Sequence, residues 1–174
     1  MSKAPNNSRD RTVDVVIEIP RGSRSKYEFD EKIGRLRMKR VLSLSVVYPT
    51  DYGFVPDTLA GDGDPLDALL LSFEPAVPGS VQLARPIGML DMADHNGPDA
   101  KVLMVPARDA RFDGVGRLTD LADHWKLEII AFFNTYKMLD GDNPEVKGWR
   151  GPAAAWKEIQ SAQQAFKNKK KKRR

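Results

Sequence analysis

Asp62-Gly63-Asp64-Pro65-Leu66-Asp67 sets three carboxylates within six residues. From Val41 to Ala84 there is no Lys or Arg, yet the stretch carries Asp51, Asp57, Asp62, Asp64, Asp67 and Glu74. Carboxylates crowded in this way repel and raise one another's pKa unless a cation offsets them. Hard oxygen ligands in a cluster suit Mg²⁺, Mn²⁺ or Ca²⁺. Gly63 removes a side chain where the backbone must turn tightly, and Pro65 fixes φ. Asp, Gly and Pro are equally the ordinary residues of a solvated turn, so the hexapeptide alone leaves metal site and plain turn open. An EF-hand is excluded: counted from Asp62, Leu66, Asp67 and Phe73 fall where the loop needs a ligand, a Gly and a Glu.

Outward from the hexapeptide the chain reads as strands. Val13 to Pro20 is β-branched and nearly continuous, and Pro20 closes it. Glu18 is costly to bury alone, so it faces solvent or a polar site. In a strand at 26–29, Lys26 and Glu28 share one face, and Tyr27 and Phe29 the other. Leu36 to Leu44, Ala68 to Phe73, Val81 to Leu90 and Ala100 to Val105 suggest further strands. Arg40 is the last cation before the acidic stretch. Tyr48-Pro49-Thr50-Asp51-Tyr52-Gly53-Phe54 reads as an aromatic turn, with a Tyr hydroxyl available as a phosphate donor. Asp94 to Lys101 forms a second acidic turn, in which Asp94 and Asp99 repeat the five-residue separation of Asp62 and Asp67. His95 beside it reads as a surface residue.

Helical spacing appears late. Thr119 is the expected N-cap of a helix carrying Leu121, Trp125, Ile129, Phe132, Phe133 and Tyr136, and Tyr136-Lys137 ends it. Pro152 opens a last helix along Trp156, Ile159, Gln163 and Phe166. The expected class is α+β: a small antiparallel barrel or strongly twisted sheet with terminal helices. Residues 1–12 are expected to be a flexible arm, 13–166 a single domain, and 167–174 a disordered basic tail.

Composition excludes several chemistries. The 174 residues contain no Cys, which removes disulfides, zinc-thiolate sites and a Cys nucleophile. The polar start and the lack of a long apolar run predict neither a secretory leader nor a membrane span, with a cytoplasmic setting as the default. The formal net charge is +4, but seven cations lie between Lys167 and Arg174, leaving −3 for the remainder. That tail is taken as accessory, and nucleic-acid contact by it is not expected. Clustered Asp together with Lys26, Arg40, Lys101, Lys137 and loop tyrosines describes a site for a metal–polyphosphate complex. No Walker loop, kinase loop or Ser/His pair at recognisable spacing is present.

The hexapeptide resembles the signature of soluble family I inorganic pyrophosphatases of bacterial type. Ile17-Glu18-Ile19-Pro20, Lys26-Tyr27-Glu28, Arg40, Tyr48 to Gly53, Asp94…Asp99-Ala100-Lys101 and Phe132-Phe133…Tyr136-Lys137 resemble that family in order and spacing, over roughly Val13 to Phe166. The resemblance implies an OB-like five-stranded β-barrel with flanking C-terminal helices, and hydrolysis of pyrophosphate to two phosphates. It implies several Mg²⁺ ions per site, with Mn²⁺ or Zn²⁺ as substitutes, and a homohexamer. Asp62, Asp67 and Asp99 would ligate the metals that activate the attacking water, with Asp67 bridging two ions. Asp94 would join Asp99 on a further ion, while Glu28 and Glu18 assist, Glu28 through water. Asp64 would accept the proton of the nucleophilic water. Lys26, Arg40, Tyr52, Lys101, Tyr136 and Lys137 would bind the phosphoryl groups, and Tyr48 would be structural support. His95 departs from the acidic residue that many bacterial members carry there, which bears on an outer metal contact. The competing expectation is a non-catalytic nucleic-acid-binding barrel using the basic tail. Such a binder would carry a basic face, whereas here the cations outside the tail are interleaved with clustered Asp.

Overall fold

Period-two alternation of apolar side chains organises the molecule, but both strand faces are covered. A computed structural model of the chain describes residues 11–172. Five strands close into a ring: β1 (Val13–Ile19), β4 (Asp51–Phe54), β5 (Asp67–Leu70), β8 (Lys101–Pro106) and β6 (Val81–Asp94), which returns to β1. All of these pairings are antiparallel except β5 with β8. A hairpin of β2 (Ser25–Asp30) and β3 (Arg35–Val41) stands beside the ring. The far half of β6 leaves the ring to pair with β7 (Gly97–Pro98) and β9 (Glu145–Arg150). Two helices complete the fold, α1 (Asp123–Thr135) and α2 (Pro152–Lys172).

Along β5 and β8, Ala68, Leu70, Val102 and Met104 join a core with Ala155, Ile159 and Ala162 of α2. Their neighbours Leu69, Leu71, Leu103 and Val105 join a second core with Ile129, Phe132 and Phe133 of α1. Two covered faces explain the uninterrupted Ala68-Leu69-Leu70-Leu71 run. In β1, Val15 and Ile17 belong to the α2 core but Ile19 to the α1 core. The switch occurs at a register shift between Ile17 and Ile19 opposite β4. This bulge re-aims the backbone at Glu18, which is why one carboxylate survives inside an apolar strand.

The α+β class and the five-stranded barrel agree with expectation, and several local readings are corrected. The aromatic segment ending at Phe54 supplies strand β4 rather than only a turn. Gly53 hides the strand pattern, and it is required there: a Cβ at this position would lie 1.9 Å from the Val16 carbonyl oxygen of β1. Thr119 caps no α-helix. It lies in a 3-10 turn, Leu118–Asp120, where Asp120 accepts the Gly116 and Arg117 N–H groups, and α1 starts only at Asp123. Strand β9 lies between the two expected helices, where no strand is expected; Gly148 has φ 129° at a register shift and interrupts the alternation. The buried face of α2 runs through Ala155, Ile159 and Ala162, and its two alanines contribute weakly to an apolar period. The helix continues through Lys172 instead of ending near Phe166, because Lys is a good helix former and cations suit a helix C-terminus. Of the expected N-terminal arm, residues 1–10 lie outside the described residues, as do 173 and 174 of the tail.

Replacing Gly53 by Ala forces β1 and β4 apart. Gly53→Ala is expected to lower unfolding free energy by about 1–3 kcal/mol, read from the shift of a denaturant midpoint. An unchanged midpoint would contradict the close approach described here.

Candidate active site

Parallel pairing of β5 and β8 determines where the charged turns meet. With Ala68 opposite Val102, both strands begin at the same end of the ring. Asp67 opens β5 just after one acidic turn, and Lys101 opens β8 just after the other. The Lys101 side chain is 2% exposed. Its Nζ lies 2.7 Å from Asp67 Oδ2 and 2.8 Å from Asp99 Oδ1, and it donates to the Tyr52 hydroxyl at 3.2 Å. Tyr52, from β4, donates in turn to Asp67 Oδ2 at 2.6 Å. The Lys101 ammonium also sits over the Tyr52 and Phe133 rings, at 5.5 and 5.4 Å. Burial alone would strip its proton, but Asp67 and Asp99 outweigh that and hold Lys101 above the usual lysine range.

The acidic turn itself is open to solvent. Gly63 adopts φ 94°, a left-handed conformation that favours glycine. The Asp64 N–H donates to Asp62 Oδ1 at 3.0 Å, which folds the turn back on itself. Burial, then the charges of Asp62 and Asp67, push the Asp64 carboxyl up from its ordinary value. Asp99 is raised in the same way, by burial and by Asp67, with Lys101 opposing.

The hairpin brings the next group. Lys26 of β2 is the cross-strand neighbour of Arg40 of β3. Lys26 Nζ lies 3.0 Å from Glu28, and Lys39 reaches the other oxygen of Glu28 at 3.1 Å. Glu18, on the bulge of β1, accepts the Phe29 N–H at 2.7 Å. Burial is the main cause that raises the Glu18 carboxyl to about 7, and the nearby charges of Asp67 and Glu28 add to it.

The end of α1 supplies the rest. Tyr136 is buried, stacks on Phe132, and stands close enough to Lys101, Lys137 and Asp99 to feel their charges. Lys137 contacts Asp142 at 2.8 Å and Asp94 at 3.5 Å. His95 Nδ1 lies 3.4 Å from Asp142. Donor atoms of Asp94, His95 and Asp142 fall within 4.8 Å of one another, the one such acid and histidine group among the described residues. Arg40 donates to Asp140, whose other carboxylate oxygen takes the Ser43 hydroxyl at 2.6 Å.

All thirteen residues singled out in the sequence therefore fall in one neighbourhood, linked by direct contacts or by the field of an adjacent charge. Asp140, Asp142 and Ser43 join it without having been singled out. Their signal is weak: two Asp flanking Gly141 in a loop after a helix look like any polar turn. Asp51, part of the acidic stretch, does other work. It is fully buried and accepts the Arg21 and Ala76 N–H groups at 2.8 and 3.1 Å. Tyr48 packs edge-on against Tyr52 at 5.4 Å and touches Phe132, as a structural support would.

The family model described as Inorganic pyrophosphatase matches residues 15–167. The inorganic pyrophosphatase of Methanosarcina mazei is 48% identical over 157 residues, spanning 90% of this chain and 93% of that protein. That of Synechocystis sp. is 47% identical over 150 residues, 86% of this chain and 89% of its own length. The crystal structure of the Thermus thermophilus inorganic pyrophosphatase superposes with a TM-score of 0.88 at 45% identity, covering 96% of this chain and 95% of that one.

The Glu18 shift has a consequence for stability without divalent ions. Between its ordinary 4.5 and about 7, the folded chain keeps a proton that the unfolded chain releases. Stability therefore falls as pH rises through that window. In chelator, the melting temperature is expected to drop from pH 5 to pH 7, and Glu18→Gln is expected to shrink the drop. Equal pH profiles for the two proteins would contradict this burial of Glu18.

Proposed function

We infer how this chain, which belongs to the inorganic pyrophosphatase family and hydrolyses pyrophosphate, carries out that reaction: Asp62, Asp67 and Asp99 hold divalent cations, Asp64 takes a proton from water, and a ring of cations and tyrosines holds the two phosphoryl groups. The observation that carries the proposal is the convergence of the two acidic turns on Lys101. Six carboxylates, those of Asp62, Asp64, Asp67, Asp99, Glu18 and Glu28, gather with one fully buried cation and with Lys26 and Lys39 at the rim. Carboxylates outnumber cations there, and burial first, then the neighbouring carboxylates, pushes Asp64, Asp99 and Glu18 up from their ordinary values. Oxygen-only donors in such excess fit Mg²⁺, with Mn²⁺ as a substitute. Around Asp94 the imidazole of His95 adds a nitrogen donor, which suits Mn²⁺ or Zn²⁺ better than Mg²⁺. Bound there, divalent ions would lower the pKa of water and neutralise phosphate charge.

The chain's own groups do the remainder. Asp64 projects from the exposed turn, and a carboxylate whose pKa is raised is the better proton acceptor. Water attacks one phosphorus in line with the bridging oxygen, the water's proton passes to Asp64, and the bridging P–O bond breaks to release phosphate. Lys26, Arg40, Tyr52, Lys101, Tyr136 and Lys137 neutralise and orient the non-bridging and leaving oxygens. Glu28 and Glu18 hold Lys26 and the adjacent backbone, and support a further ion at the rim. The proposal extends to a homohexamer in the cytoplasm. Leu127, Met138 and Leu139, on and just beyond α1, are more than half exposed and give an assembly apolar surface to cover. Among the described residues, no helix is long and apolar enough to cross a membrane. Nothing in the matches supports the nucleic-acid-binding alternative, and the basic residues beside the acidic turns are tied to carboxylates instead of forming a free face.

The test is phosphate release from pyrophosphate with and without Mg²⁺, beside Asp64→Asn. Release is expected to need the ion and to fall by about 10²–10⁴-fold in the folded variant. Light scattering on the same preparation is expected to read six copies. Full activity in Asp64→Asn would remove the assigned proton acceptor, and a different mass would remove the hexamer.

A further inference from the structure

Arg40 and Lys137 reach the site from elements far apart in sequence, one on β3 and one just after α1. A single short turn connects them. After Lys137 the chain makes a 3-10 turn, Met138–Asp140, closed by Gly141 at φ 76°. The Asp140 N–H donates to the Lys137 carbonyl at 2.9 Å, so the Asp140 carboxylate stands at a set distance from Lys137. One of its oxygens takes the Ser43 hydroxyl at 2.6 Å, and the other takes Nη1 of Arg40. Both contacts bridge about a hundred residues of chain, from 40 and 43 to 140. Ser43 lies in the loop just past β3, so Asp140 grips the hairpin at two points. Two residues on, Asp142 holds Lys137 itself.

We propose that Asp140, oriented by Ser43, is a positioning residue that aims the Arg40 guanidinium at one phosphoryl group of pyrophosphate and sets its separation from Lys137. The guanidinium has five N–H donors in a planar fork. Asp140 takes one edge, which leaves the opposite edge for phosphate oxygens and removes the rotamer freedom of a long side chain. Hydrogen bonds from Ser43 and then Arg40 hold the Asp140 carboxyl below its ordinary value, so it is a charged acceptor at neutral pH. This rests on pyrophosphate as substrate. Asp140 does not touch it; it acts through Arg40.

Misplacing a binding group by an ångström costs up to about a hundredfold. Asp140→Asn is accordingly expected to raise KM for pyrophosphate about tenfold while kcat changes by less than about threefold. The weakening should appear equally in the Kd of methylenediphosphonate, which is not hydrolysed. Asp140→Glu should recover part of the affinity, and Ser43→Ala should show a smaller loss of the same kind. The double variant Arg40→Gln/Asp140→Asn should bind no worse than Arg40→Gln, because the two act as one unit. A merely structural clip would lower the melting temperature and leave the KM-to-kcat split and this non-additivity absent. An unchanged or lower KM in Asp140→Asn, or losses that multiply in the double variant, would overturn the proposal. Should the wild type release no phosphate, the substrate assignment fails separately, and methylenediphosphonate binding still decides the role of Asp140.

Discussion

A buried ammonium among carboxylates is the constraint on which the site depends. Lys101 cannot lie inside the protein unless Asp67, Asp99 and Tyr52 surround it, since an unpaired buried charge costs several kcal/mol. Those partners converge because β5 and β8 run parallel and begin together. The parallel pairing, alone among otherwise antiparallel contacts in the ring, is thus what turns two separate acidic loops into one centre. Topology and electrostatics specify each other here: the ion pairs favour the register, and the register places the ion pairs.

The same logic extends outward. Lys26 rests on Glu28, Arg40 on Asp140, Lys101 on Asp67 and Asp99, and Lys137 on Asp142 and Asp94. Every Lys or Arg assigned to phosphate has a carboxylate holding it. Cations brought together to receive a tetra-anion would otherwise repel one another and rotate into solvent. With each one tethered, charge and direction are set before the substrate arrives, which is what preorganised electrostatic stabilisation requires. The tethers differ in exposure. The Lys101 contacts are nearly sealed, whereas the side chain of Glu28 is 42% exposed, so its pairing with Lys26 is weakened by solvent and salt.

Much of this is legible in the chain itself. The β-branched run of β1, the alternation of β2, the continuous apolar run of β5 and the acidic hexapeptide each follow from local rules, and the repeated spacing of Asp94 and Asp99 points to the second turn. What escapes is non-local. Gly53 looks like a strand breaker until the Val16 carbonyl is seen 1.9 Å from where its Cβ would stand. Asp51 looks like a site carboxylate until two backbone N–H groups fill it. Thr119 looks like a helix cap, but it lies in a 3-10 turn, fastened by Asp120, that ends before α1. Asp140 and Asp142 carry no local signature at all, because their partners come from Ser43 and Arg40 across the fold and from a lysine whose own role is non-local. The Glu18 bulge is intermediate: a lone acid in an apolar strand announces a polar site but not the register shift that delivers it.

The claim at the centre is that Asp67 and Asp99, together with Asp62, hold divalent cations beside Lys101. Calorimetric titration of metal-free protein with Mg²⁺ at pH 7, beside Asp67→Asn, tests it most directly, with melting curves to show that both proteins are folded. The account predicts saturable binding in the wild type and loss of at least one ion, or a weakening of about tenfold or more, in the variant. Identical stoichiometry and affinity in the two proteins would contradict it and place the ions elsewhere.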